Sequence, residues 1–197
     1  SEVYRQGRTW SFDAKTTSRL AGAFALGLAD SHELATMKHF PGLGFATANT
    51  DRAVVRITAS RARLAPGLLP YRGTHVPLVM LSNAIYDAYD RTNAAGWSRL
   101  IATRLLRTEL GYQGVTITDS LDGAAHARGI APNGLALAAA RAGTDLILLT
   151  GGEVATRDVF ASLLRAAQAG RVGRAGLERS YARIQKLKAV AFPHSHP

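Results

Sequence analysis

A carboxylate at the end of an apolar run is the first place in this sequence where chemistry could sit. Residues Gly114-Val115-Thr116-Ile117-Thr118 lead directly into Asp119-Ser120-Leu121, which reads as a short buried strand that delivers Asp119 at its C-terminal end. In parallel α/β folds that end of the strands carries the site. Asp119 could also do no more than cap the helix that follows, because Asp is a favoured N-cap residue. A second strand-to-loop stretch lies about eighty residues upstream, Lys38-His39-Phe40-Pro41-Gly42-Leu43-Gly44, where Pro and two Gly stop regular structure. A third, Val76 to Leu81, ends in Ser82, Asn83 and Tyr86.

These stretches need elements to hold them. Residues 1 to 14 show no periodicity and read as a loop whose Asp13 can cap the next helix. From Lys15 to Ala29 the apolar residues Leu20, Phe24 and Leu28 recur every four positions, the face of a packed helix. Leu34 to Met37 reads as a strand, Asp51 to Ile57 as a short extended piece, and Ser60 to Leu64 as a helical stretch cut short by Pro66, Gly67 and Pro70. Trp97 to Leu110 is amphipathic and closes at Gly111. After the Asp119 strand come a helix from about Asn133 to Ala142, stopped by Gly143, and a buried strand from Thr144 to Thr150. Helices near Val154 to Ala169 and Arg174 to Ala189 follow, and then a frayed tail over 191–197 whose His194 and His196 are not ligands. Strand and helix alternate, and the strands lack the in-out pattern of a sheet with one wet face, which predicts a parallel sheet covered by helices. Four βα units make half of an eight-stranded barrel, a fold of about 250 residues.

The 197 residues, 47% hydrophobic and 19% charged, can bury a sizeable core. No run of eighteen apolar residues suggests a membrane span. With no cysteine the chain has neither disulfides nor thiol chemistry. The net charge of +10 raises nucleic acid as a partner. The basic residues are nevertheless dispersed at helix spacing and not interleaved with aromatics, which reads as solvated helix faces. His32, His75 and His126 are scattered without ligand spacing, so no metal site and no cofactor is expected.

The Lys38-His39-Phe40-Pro41-Gly42-x-Gly44 run resembles the KHFPGxG signature of glycoside hydrolase family 3, and Gly114 to Leu121 resembles that family's strand bearing the catalytic nucleophile. Arg8 with Phe12 is similar to the Arg-containing segment that precedes the signature helix and strand. The likeness covers nearly the whole chain and is nearest the single-domain bacterial β-N-acetylhexosaminidases. It implies that residues 1–190 are the C-terminal half of a (β/α)8 barrel, strands five to eight, and that the partner is the missing N-terminal half or a second copy of the chain. It implies a retaining mechanism acting on a carbohydrate, terminal β-linked N-acetylglucosamine or a related β-glycoside, with Asp119 as nucleophile. Lys38 and His39 then match the sugar-binding pair, and Arg8, Asn83 and Tyr86 join them as substrate-binding residues. Against this, Lys38 could simply pair with a barrel carboxylate, His39 pack beneath the loop, and Arg8 be an ordinary surface residue.

One departure stands out. The hexosaminidases carry an Asp-x-His acid/base dyad in the loop after the signature, and here its positions are Asn49 and Asp51. Asp51 could serve as the acid/base itself, since a carboxyl with a raised pKa does so in most retaining glycosidases. The loop could instead take another register, or the pocket could bind glycans without turning them over. The compartment is open between bacterial cytoplasm and secretion.

Overall fold

The computed structural model of the chain describes residues 1–191; of the tail expected over 191–197, Ala191 is the last residue of a helix and the rest, with both histidines, lies outside the described residues. In chain order the strands are β1 (Thr36–Phe40), β2 (Arg56–Ile57), β3 (Leu78–Leu81), β4 (Ile85–Tyr86), β5 (Asp90–Ala94) and β6 (Val115–Thr118). The helices are α1 (Glu2–Arg5), α2 (Ala14–Asp30), α3 (Arg61–Leu64), α4 (Leu121–His126), α5 (Pro132–Ala142), α6 (Gly152–Gln168) and α7 (Arg174–Ala191), with a π-wound helix over Leu100–Glu109 between β5 and β6.

Three strands pair in parallel in the order β1-β3-β6. Thr36 lies opposite Leu78, and Leu81 lies opposite Phe40 on one side and Thr118 on the other. Because the strands end level, the residues that follow them emerge at one end of the sheet. Beyond β6 the stretch after Thr144 runs alongside in the same direction, bridging Ile117 to Leu146. The sequence predicts a buried strand there. The structure has a single bridge with half-buried residues, because Thr118 Oγ1 takes the N–H of Leu148 in place of a backbone carbonyl and nothing among the described residues pairs the outer edge.

Other expectations shift. The first strand begins at Thr36 and runs through Lys38 and His39, so both are strand residues and not loop residues. The N-terminal stretch is not all loop: Ser1 Oγ accepts the Tyr4 N–H and Glu2 pairs with Arg5 at 2.6 Å, which holds α1. Pro66 and Pro70 do not end the helical stretch after α3, which continues as a 3-10 turn to Tyr71. In a second small sheet, β2-β4-β5, β2 falls inside the extended piece expected over Asp51 to Ile57, whereas β4 and β5 have no counterpart in the sequence reading. Asp13 does cap α2 through the Thr16 N–H, and Gly143 ends α5 in the left-handed conformation at φ 88°. Of the predicted α2 face, Leu20 and Leu28 are half-buried, while Phe24 is 57% exposed and leans on Trp10.

The opposite end of the sheet is locked by charge. Asp145, whose side chain is fully buried, receives Arg107 Nη2 and Arg183 Nη2 at 2.6 Å each, the Ser180 hydroxyl at 2.6 Å and the Thr116 N–H at 2.9 Å. These groups come from the π-wound helix, α7 and β6, so one carboxylate ties three elements together. With so many donors its pKa is held below the ordinary carboxylate range despite burial.

Candidate active site

The level strand ends gather the candidate residues. Asp119 follows β6 directly, and its Oδ1 accepts the N–H of Ser120 at 2.9 Å. It does not cap α4; Ser120 is the N-cap residue, its hydroxyl accepting from the Gly123 N–H. That leaves Oδ2 of Asp119 free to face across the strand ends, where His39 Nε2 of β1 stands 3.5 Å away. At that distance the contact is longer than a hydrogen bond. It is not an ion pair either, because burial, with the Lys38 and Arg8 charges adding to it, pushes the His39 pKa down to about 4. The imidazole is neutral at pH 7, an adaptable donor or acceptor.

Burial raises the Asp119 pKa, and the Ser120 N–H, Lys38 and Arg8 oppose the rise. Both cations are exposed, yet their charges reach the site. Arg8 also holds Gln6 Oε1 through Nη1 at 2.9 Å.

Asp51 arrives from the loop after β1. Asn49 Oδ1 accepts its N–H at 2.8 Å and so turns the loop. Burial raises the Asp51 pKa, and the negative charge of Asp119 raises it further; the Asn83 amide, His39 and Arg8 pull the other way. With Asp119 opposed in its rise by Lys38 and Arg8 and Asp51 raised further by the Asp119 charge, the two carboxyl groups can divide into an ionised Asp119 and a protonated Asp51. Oδ1 of Asp51 is buried with no hydrogen-bond partner among the described residues.

Two residues expected to touch substrate are buried in this chain. Tyr86 is fully buried, and its hydroxyl donates to the Gly42 carbonyl at 3.1 Å, so it props the loop after β1. Asn83 is 1% exposed and donates through Nδ2 to the Ser120 carbonyl at 2.9 Å, fastening β3 to the turn after Asp119. Both follow β3 as the sequence suggested, but the chain folds them inward beneath the site. The arrangement therefore brings Asp119, Asp51, His39, Lys38 and Arg8 to one end of the sheet. It also draws in Asn49, which stands at the dyad's Asp position and here turns the loop, and Ser120, which caps α4.

Residues 1–187 match the glycosyl hydrolase family 3 N-terminal domain. The chain belongs to this family. It is 34% identical to an uncharacterized secreted glycosyl hydrolase of Arthroderma benhamiae over 95% of its length, and 31% identical to the β-hexosaminidase LpqI of Mycobacterium tuberculosis over 92%. It spans 58% of the first and 48% of the second, about half of each relative. Among solved structures, a family 3 β-N-acetylglucosaminidase from Paenibacillus superposes with a TM-score of 0.89 at 30% identity, over 96% of this chain and 37% of that one. The β-N-acetylhexosaminidase of Beutenbergia cavernae gives a TM-score of 0.84 at 33% identity, over 92% of this chain and 55% of that one. The chain therefore has the α/β fold of the family's N-terminal domain, and several of its relatives are named for hexosaminidase activity.

Proposed function

We propose that this chain is the half of a retaining β-glycosidase barrel that carries the catalytic groups, acting on terminal β-linked N-acetylglucosamine or a related β-glycoside. The observation that carries the reading is the placement of Asp119 at the end of β6, its Oδ2 3.5 Å from His39 Nε2, with Asp51 brought to the same end of the strands by the loop after β1, its pKa raised by burial and by the Asp119 charge. Asp119 attacks the anomeric carbon as that carbon's bond to the leaving oxygen breaks, while the Asp51 carboxyl gives its proton to that oxygen. In the second step Asp51 takes a proton from water, and the oxygen of that water displaces Asp119 from the sugar. Neutral His39 with Lys38 and Arg8 offers donors to the hydroxyls and the 2-substituent of the sugar.

The half-barrel reading is supported by what the chain leaves uncovered. Both outer edges of the parallel run lack a strand partner among the described residues. Phe12 at 85%, Leu26 at 69%, Val154 at 76% and Phe160 at 66% exposure leave apolar surface in water, more than an isolated domain tolerates. Along the Leu149 edge Thr156 and Phe160 line an open hollow of about 550 Å³. We assign these edges to the first four βα units or to a second copy of the chain.

The relevant assay is hydrolysis of 4-nitrophenyl N-acetyl-β-glucosaminide by the intact protein, with the α-anomer as control. The expected result is β-selective turnover that Asp119→Asn abolishes. Sugar binding without turnover would instead favour a glycan-binding barrel, the alternative raised by Asn49 and Asp51 standing where relatives of the hexosaminidase type carry an Asp-x-His dyad.

A further inference from the structure

We propose that Gly123 is a positioning residue whose missing side chain forms the seat that holds the Asp51 carboxyl at the site; this rests on Asp51 being the acid/base group. A Cβ built on Gly123 would lie 2.9 Å from Asp51 Cβ, 3.0 Å from Oδ1 and 3.1 Å from Cγ. Such distances are shorter than packed carbon and oxygen atoms allow, so a side chain there forces one partner to move. The helix is the partner that cannot yield. Its first turn is pinned on the far side, where Asp122 accepts the Thr150 N–H and a Cβ on Gly151 would lie 2.7 Å from Asp122 Oδ1.

The same turn is held from below and behind. Asn83 Nδ2 grips the Ser120 carbonyl at 2.9 Å. Arg128, at the far end of α4, donates to the Ala124 carbonyl at 2.9 Å and to the Asn83 carbonyl at 3.4 Å while lying 4.9 Å from the centre of the Trp97 ring. Asp51, by contrast, sits on a loop that α1 holds only upstream, through the Glu2 N–H on the Ala46 carbonyl and Arg5 on the Thr47 carbonyl, while the Asn49 amide fixes Asp51's own N–H. An added methyl at position 123 therefore displaces the Asp51 loop and not α4. Gly123 lies in ordinary helical backbone, where alanine is the better helix former. Its conservation of fold and its loss of catalysis are thus separable.

The test is Gly123→Ala in the intact protein. The melting temperature is expected to hold or rise. Turnover of N,N′-diacetylchitobiose is expected to fall at least ten-fold, with hydrolysis of a 2,4-dinitrophenyl glycoside recovered by sodium azide, a nucleophile that needs no base. The Asp51 carboxyl titration, followed by carbon-13 NMR, is expected to move from its wild-type midpoint. Unchanged titration together with unchanged chitobiose turnover overturns the seat. An equal loss on both substrates without azide recovery also overturns it, because general disruption explains that pattern. Because the titration needs no turnover, it is read separately from Asp51→Asn, whose full activity on chitobiose would remove the acid/base assignment alone.

Discussion

His39 Nε2 stands 3.5 Å from Asp119 Oδ2, although β1 and β6 are not neighbours and β3 lies between them. The approach is possible because the three strands end level and both side chains lean over the end of the middle strand. It places a neutral, mostly buried imidazole beside the proposed nucleophile, and that neutrality has a cost in acid.

The folded His39 pKa of about 4 lies below its ordinary 6.5. Between those values the unfolded chain binds more protons than the folded one, so stability rises with pH through the window and is lost as pH falls through it. The loss amounts to about 3 kcal/mol between pH 6.5 and pH 4. Urea titrations across that window should show the slope, and His39→Gln should flatten it.

Asp119 and Asp51 have the opposite linkage. Their raised pKa values mean that the folded state binds protons more tightly, so each carboxylate costs stability as pH rises above its unfolded value of 3.8. Asp119→Asn should therefore melt at a higher temperature than the wild type at pH 7 while losing turnover. Calorimetry and activity measured on the same sample check both.

Asp51→Asn should lose about 10²- to 10⁴-fold on substrates with poor leaving groups, the usual worth of a positioned acid. Aryl glycosides with activated leaving groups need no protonation and should form the glycosyl-enzyme at near wild-type rate. The alkaline limb of the wild-type pH profile should lie above the ordinary carboxylate range, because burial and the Asp119 charge hold the proton on Asp51. Equal losses on both substrate classes would take Asp51 out of the role.

At the other end of the sheet, Asp145→Asn should destabilise by about 3 kcal/mol, since it leaves the half-buried Arg107 and Arg183 without their buried carboxylate. Urea midpoints measure it. Little change in the His39 pH window would show that the two ends are energetically independent.

The open edges should make residues 1–197 alone self-associate, and supplying the companion half-barrel should convert them to a defined complex. A stable, monodisperse monomer of this chain in light scattering would contradict that assembly.

The sequence made the chemistry at the strand ends legible where residue type and position coincided. Asp119 after an apolar run, and Lys38-His39 before Pro41, announce themselves locally. Asn83 and Tyr86 did not, because a sequence shows that residues follow a strand but not whether the chain then folds them inward. Asp145 escaped notice for another reason. Its partners Arg107, Ser180 and Arg183 lie 38, 35 and 38 positions away, and no local pattern marks a contact of that span. Nothing local marks Gly123; only the closeness of Asp51 gives its missing side chain meaning.

The central claim is a covalent bond between Asp119 and carbon one of a sugar. Incubating the intact protein with 5-fluoro-N-acetyl-β-glucosaminyl fluoride, followed by digestion and mass spectrometry, reads it directly. The account predicts one added sugar on the peptide containing Asp119, absent in Asp119→Asn. An active enzyme that accumulates no adduct, or carries the sugar on another residue, would contradict it.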